Sequence, residues 1–291
     1  MVNYAYAKIN LALDIVGQRE DGYHLVRMIM QTLDLHDDVY VERLAPNGSD
    51  QTIRIQTDSE LVSDDTHNLG WKAAKLMVDE FGLTDDINIR IVKRIPVAAG
   101  LAGGSSDAAA VMRGINAEFE LGLFDEKLQE LGVRLGADVP YCIKGGTMLS
   151  EGIGEVLTEV RPALKDIYCL LAKPKEGAST REVYQRYDSM DHHEHPDVDA
   201  MINAIQGQDI KGIIKNLGNV LEDVTIPMLP VVGDIKEKML ESGAEGTLMS
   251  GSGPTVFGIF SSKETMQNAA AVINRNFADT EVISTVLFSK S

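Results

Sequence analysis

Three separated stretches of the chain hold residues with chemistry to offer. The first is Ile95-Pro96-Val97-Ala98-Ala99-Gly100-Leu101-Ala102-Gly103-Gly104-Ser105-Ser106, which runs into an apolar helical pattern. A glycine-rich turn opening onto a helix N-terminus suits an anion. Backbone N–H groups lack partners there, the helix dipole is positive, and missing Cβ atoms let a phosphate come close. Such loops also occur where no phosphate binds, with Ser105 or Ser106 serving only as a helix cap. No Lys-Ser/Thr pair follows, as a P-loop requires, and the spacing is not G-x-G-x-x-G. The second stretch, Met249-Ser250-Gly251-Ser252-Gly253-Pro254-Thr255, reads as a tight turn between two core strands. The third joins Lys8 and Asn10 to Asp21-Gly22-Tyr23-His24. Each alone is a weak signal, and their force depends on elements that can position them.

The 291 residues are enough for a large core, and 44% hydrophobic with 24% charged residues is ordinary for a globular protein. A net charge of −17 argues against nucleic acid or an anionic membrane as the main partner. An acidic protein can still bind a nucleotide, because loops and helix ends make that site locally. Cys142 and Cys169 lie far apart with no C-x-x-C pattern, which suits buried free thiols in a reducing compartment. The N-terminus has no apolar signal core and no apolar run reaches membrane length, so a cytoplasmic protein is expected.

Periodicity supplies the elements. Apolar alternation predicts strands over residues 4–16, 28–33, 38–43, 52–56 and 87–91, with Asp21-Gly22 favouring a hairpin turn between the first two. Asn68 can cap a helix running to about Phe81. A helix follows the glycine loop, another is capped by Asp125 and ended by Gly136, and Ala137-Asp138-Val139-Pro140 sets an acid among apolar neighbours. Beyond about residue 160 come a strand at 167–172, helices near 180–187, 198–205 and 210–221, and one carrying Ile235 and Met239. Strands at 246–250 and 255–260, a helix over 263–277 and a strand at 282–288 complete the chain. Strand, helices, strand, strand, helix, strand is the ferredoxin-like split βαβ pattern. The expected fold is α+β in two domains: an N-terminal mixed α/β domain, residues 1–160, and a C-terminal ferredoxin-like domain, residues 161–291. His192-His193-Glu194-His195, in an Asp-rich and Pro-containing context, reads as an exposed connector, with metal binding the minor alternative.

The glycine loop resembles the second motif of the galactokinase, homoserine kinase, mevalonate kinase and phosphomevalonate kinase (GHMP) superfamily, and Met249–Thr255 resembles its third. Lys8-Ile9-Asn10-Leu11, Asp21-Gly22-Tyr23-His24 and Met30-Gln31 narrow the resemblance to one branch, as do Gly136-Ala137-Asp138-Val139-Pro140 and Glu151-Gly152-Ile153-Gly154-Glu155. It runs from about residue 5 to about residue 288. That branch implies transfer of the γ-phosphoryl group of ATP to the 2-hydroxyl of a cytidine-diphosphate-linked methylerythritol, in the non-mevalonate route to isoprenoid precursors. A loose phosphoryl-transfer transition state needs mostly positioning and charge stabilisation, which loop N–H groups and a helix end can supply.

The resemblance also implies roles. Asp138 matches the catalytic aspartate that takes the proton of the attacking hydroxyl, where the plain alternative is a capping Asp. Lys8 matches the lysine beside that aspartate, where the plain alternative is a solvated strand lysine. The loop Pro96–Ser106 binds ATP, and Ser105 or Ser106 offers a hydroxyl toward Mg²⁺. Asn10, Tyr23 and His24 serve cytosine recognition, with Tyr184, after Ser179-Thr180, on the other face of the base or else a core tyrosine. Ala102 stands where many relatives have another glycine, and Met30 where some relatives have an aromatic residue. Met30 would then soften a pocket wall. Partners are small molecules, and monomer and homodimer stay open. The rival readings are another small-molecule alcohol kinase of the superfamily, which the Asp21–His24 segment disfavours, and a catalytically silent nucleotide-binding relative, which Lys8 with Asp138 disfavours.

Overall fold

The computed structural model describes residues 1–46, 51–190 and 194–288. The chain gathers into two compact units, each discontinuous in sequence. One joins Met1–Ala7, Leu35–Val97 and Ala102–Gly145; the other joins Lys8–Asp34, Ala98–Leu101 and Gly146–Ser291. Among the described residues no helix is long and apolar enough to cross a membrane.

Two long strands, β1 (Val2–Gln18) and β2 (His24–Leu44), contribute residues to both units. The sequence pattern predicts two strands where β2 is one. The acids of residues 34–38 look like a break, yet Asp37 is fully buried and its carboxylate accepts the N–H groups of Arg94 and Ile95. In the first unit β3 (Ile53–Thr57) pairs parallel with β4 (Asp86–Val92), which pairs antiparallel with the second half of β2. Ile87, Ile89 and Ile91 are fully buried, as their alternation requires. Asn68 caps α1 (Leu69–Phe81), its Oδ1 accepting the Gly70 N–H at 2.8 Å. The helix after the glycine loop, α2 (Gly103–Glu118), buries Ala108 through Met112 and Ile115.

The next two helices differ from expectation. In α3 (Asp125–Gly132) the cap position belongs to Phe124 and Asp125 is already helical, where a carboxylate suits the positive helix end. The helix stops at Gly132 rather than Gly136, because Arg134 and Leu135 close tighter turns onto the carbonyls of Leu131 and Gly132. The segment after Asp138 forms α4 (Val139–Lys144), with Pro140 in its first turn, where a missing N–H does no harm.

In the second unit, β5 (Thr147–Glu151) pairs antiparallel with Met28–Gln31 of β2 and carries β6 (Val156–Glu159). After β7 (Tyr168–Pro174) come α5 (Thr180–Tyr187), α6 (Val198–Gln206), α7 (Ile210–Lys215), β8 (Gly218–Asn219), α8 (Glu222–Met228) and α9 (Pro230–Glu241). Then follow β9 (Gly246–Met249), β10 (Val256–Phe260), α10 (Lys263–Asn276) and β11 (Thr280–Val286). The strands β11-β7-β10-β9 form an antiparallel sheet in that order, the split βαβ arrangement expected. The predicted helix over 210–221 ends at Lys215. Gly218, a poor helix former, and Asn219 instead pair parallel with Ala12 and Leu13 of β1.

Candidate functional site

Within the second unit the structure brings together Lys8, Asn10, the centre of the glycine loop and the turn after β9. Lys8 is 4% exposed, and its Nζ donates to Asn10 Oδ1 at 2.7 Å. Asn10 is fully buried and donates in turn to Met28 Sδ at 3.2 Å. Among the described residues of its unit no carboxylate lies in ion-pair range of Lys8, so a desolvated ammonium is answered there only by a neutral amide.

The backbone around that ammonium is shaped by glycine. The Lys8 N–H donates to Leu101 O at 3.1 Å, which clips the loop to β1. Gly100, at φ 73°, leaves no room for a side chain: a Cβ would stand 2.2 Å from Ser250 O. Ser250 Oγ donates back to Gly100 O at 3.0 Å. Gly251, at φ 59°, turns its bare Cα toward Lys8, with Nζ 3.5 Å from the place of a Cβ. A glycine-lined backbone beside a buried ammonium is an environment for an anion.

The turn is held from behind by residues that sequence reading passed over. Asn219 Nδ2 donates to Met249 O and Gly251 O, each at 2.8 Å, and its Oδ1 accepts the Leu221 N–H at 3.0 Å. Glu222 Oε1 accepts the Met249 N–H while Lys236 donates to Oε2. Thr225 Oγ1 donates to Ser252 O at 3.2 Å. Asn219 lies inside what reads as the helix of residues 210–221, so only the break of that helix at Gly218 could have pointed to it.

His24 and Tyr184 also meet in this unit. Their rings are 4.8 Å apart at 47°, and His24 Nε2 bonds Asp188 Oδ1 at 2.6 Å. Tyr187 lies near-perpendicular to the same imidazole, ring centroids 6.3 Å apart. Tyr23 is 60% exposed, and its ring contact is the Arg19 guanidinium, 5.9 Å from the centroid. Met30 is fully buried, in register with Met148. Of the histidine run, His192 and His193 lie outside the described residues, and His195 Nδ1 bonds Asp14 Oδ1 at 2.6 Å.

The first unit holds Pro96, Val97, residues 102–106 and Asp138. Ala102 takes φ 58°, a left-handed conformation that glycine would adopt more easily, and α2 starts from it with no side-chain cap. Capping by Ser105 or Ser106 is therefore not what begins this helix. The first helical bond runs from Ser106 N to Ala102 O, leaving the N–H groups of Gly103, Gly104 and Ser105 without intrahelical acceptors. Ser105 is half-buried, and the buried Ser106 donates its hydroxyl to Tyr6 O.

Below the loop, Lys93 Nζ bridges Asp37 Oδ2 and Asp107 Oδ2 at 2.5 and 2.6 Å. Two buried carboxylates share one ammonium. Burial, with Asp37 adding repulsion and Lys93 opposing, pushes the Asp107 carboxyl up to about 7. This lock ties the residues entering the loop to β2 and α2, and no motif in the sequence announces it. Asp138 stands half-buried at the edge of α4, and its side chain makes no capping bond.

Residues 68–146 match the family model described as GHMP kinases N terminal domain, and residues 201–279 match GHMP kinases C terminal. Site and fold thus define a small-molecule kinase of the GHMP class. The 4-diphosphocytidyl-2-C-methyl-D-erythritol kinase of Acetivibrio thermocellus is 48% identical over 260 residues, covering 89% of this chain and 90% of that one. The enzyme of the same name from Clostridium beijerinckii is 44% identical, covering 97% and 99%. A crystal structure of 4-(cytidine 5'-diphospho)-2C-methyl-D-erythritol kinase superposes with a TM-score of 0.81 at 28% identity, covering 99% of this chain and all (100%) of that one. For L. major mevalonate kinase in complex with R-mevalonate the TM-score is 0.78 at 16% identity, covering 100% and 97%, a likeness of fold. The chain belongs to the 4-diphosphocytidyl-2-C-methyl-D-erythritol kinase family.

Proposed function

We propose that this protein moves the γ-phosphoryl group of ATP to the 2-hydroxyl of 4-diphosphocytidyl-2-C-methyl-D-erythritol, supplying the non-mevalonate route to isoprenoid precursors. The observation that carries the reading is Lys8: a buried ammonium, bonded to a neutral amide and set against the glycine backbone of the 250–253 turn. A buried cation so placed calls for an anion, and a transferring phosphoryl group is one. In this reading Pro96–Ser106 cradles the ATP phosphates and Asp138 takes the proton of the attacking hydroxyl. A base so placed contributes roughly 10²–10⁴-fold. Asn10, Tyr23, His24 and Tyr184 receive the cytidine end. Residues 1–160 carry the ATP-binding and catalytic groups together with Asn10, Tyr23 and His24, and residues 161–291 add Tyr184 from the substrate side; the protein acts in the cytoplasm as monomer or homodimer.

Mg²⁺ fits the donors present. Ser106 spends its proton on Tyr6 O and keeps an oxygen able to accept, and Ser105 offers a second hydroxyl. Mg²⁺ keeps water and phosphate oxygens as its main ligands, so one serine oxygen suffices, and the ion supplies neutralisation of phosphate charge. The test is mass detection of phosphorylated product from ATP, Mg²⁺ and a panel holding the diphosphocytidyl substrate, mevalonate and homoserine. Product from the diphosphocytidyl substrate alone is expected. Turnover of mevalonate without it overturns the substrate, and ATP binding with no turnover on any alcohol overturns the activity. Asp138→Asn is expected to leave ATP affinity intact and to lose most of kcat; activity within a few-fold removes Asp138 as base.

A further inference from the structure

Asp138 stands at the edge of α4, six residues long and too short to hold its position unaided. Neighbours hold it at both ends. At the N-terminal end Val139 lies over Gly132 of α3, where a Cβ would come within 2.8 Å of Val139 Cγ1. At the C-terminal end Arg113, on α2, donates from Nη1 to Cys142 O at 3.0 Å and Ile143 O at 3.3 Å. Its Nη2 donates to Tyr4 O on β1 at 3.0 Å. The last carbonyls of a helix lack intrahelical partners and carry the negative end of its dipole, so a cation there answers both needs. The planar guanidinium fork reaches helix and strand at once, which a single ammonium cannot do with the same geometry.

We propose that Arg113 is a positioning residue for phosphoryl transfer, fixing α4 between α2 and β1 and thereby setting where the Asp138 carboxylate stands. The inference rests on the assignment of Asp138 as base. Arg113 touches no reacting atom in this scheme; it acts through the helix. A displacement of about 1 Å in a catalytic group can cost on the order of 10²-fold in rate, which sets the scale of the effect.

The test is a double-mutant cycle of Arg113→Met with Asp138→Asn, read by single-turnover phosphorylation, with KM for ATP and melting temperature alongside. Arg113→Met alone is expected to lower kcat roughly 10- to 100-fold while KM for ATP stays within about twofold. In the Asp138→Asn background the same change is expected to add less than about twofold, because the group it positions is gone. A residue that merely supports the fold gives the same loss in both backgrounds, and that result overturns the proposal. So does a loss below about threefold for Arg113→Met alone. If Arg113→Met melts below the assay temperature, Arg113→Lys replaces it, with a loss of about tenfold expected and the same disappearance in the Asp138→Asn background. Asp138→Asn by itself separates the two ideas: full activity there removes the base assignment, whereas an inactive Asp138→Asn with an additive Arg113 effect removes only the positioning role.

Discussion

Gly100→Ala places a methyl group where the backbone leaves none. An ideal Cβ would stand 2.2 Å from Ser250 O, 3.1 Å from Ser250 C and 3.2 Å from Gly253 O. Ordinary contact needs carbon and its neighbour about 3.4 Å apart, so loop and turn must separate by roughly 1 Å. Both obstacles are backbone, and no side chain can swing aside. Alanine at φ 73° adds about 1–2 kcal/mol of left-handed strain, and forcing a packed contact adds about 1–3 kcal/mol. The expected loss is therefore about 2–5 kcal/mol, a fall in melting temperature of roughly 4–20 °C for a chain of this size. The same displacement opens the backbone around Lys8 Nζ, so kcat should fall on the order of 10²-fold. Thermal melts and steady-state ADP release measure the two effects. Melting temperature within about 1 °C of the parent, with kcat/KM within about threefold, would refute the close approach and the site built upon it.

Gly104→Ala should behave oppositely, since its Cβ would meet open space in the first turn of α2. Alanine should stabilise the helix by about 0.5–1 kcal/mol, while a methyl group in the phosphate's approach weakens ATP binding about fivefold or more. Calorimetric ATP affinity equal to the parent's would remove Gly104 from the cradle. Asp107→Asn should flatten the pH dependence of stability between about pH 4 and 7. The folded carboxyl, raised from 3.8 to about 7, holds a proton there that the unfolded chain has released, so the parent loses stability as pH rises through that window. Melts of both proteins at pH 5 and pH 8 are the check, and equal slopes would contradict the shared-ammonium account. Tyr23→Ala should raise KM for the cytidine substrate roughly 5- to 150-fold, the worth of one stacked base, and spare ATP. A defect confined to ATP would end that role for Tyr23.

Much of this protein is local and therefore legible in its residues. The alternation of Ile87, Ile89 and Ile91, the Asn68 cap and the strand-helix order of the second half come from short-range rules, and the observed elements follow them. The Lys-Ile-Asn, Asp-Gly-Tyr-His and glycine motifs carried the family resemblance that the relatives bear out. What the residues do not announce is long-range. Nothing local marks Asn219 as the clamp of a turn 30 residues away, Lys93 as the ammonium shared by Asp37 and Asp107, or Arg113 as the cap of α4. Each is a polar side chain whose partner is chosen by which backbone atoms the fold carries within reach. The same holds for β2, where Asp37 looks like a break until the N–H groups of Arg94 and Ile95 are brought to it. Residue type and spacing determined which chemistry is offered. Tertiary structure alone decided what holds it in place, because a hydrogen bond extends only about 3 Å and the chain must fold before its ends can meet.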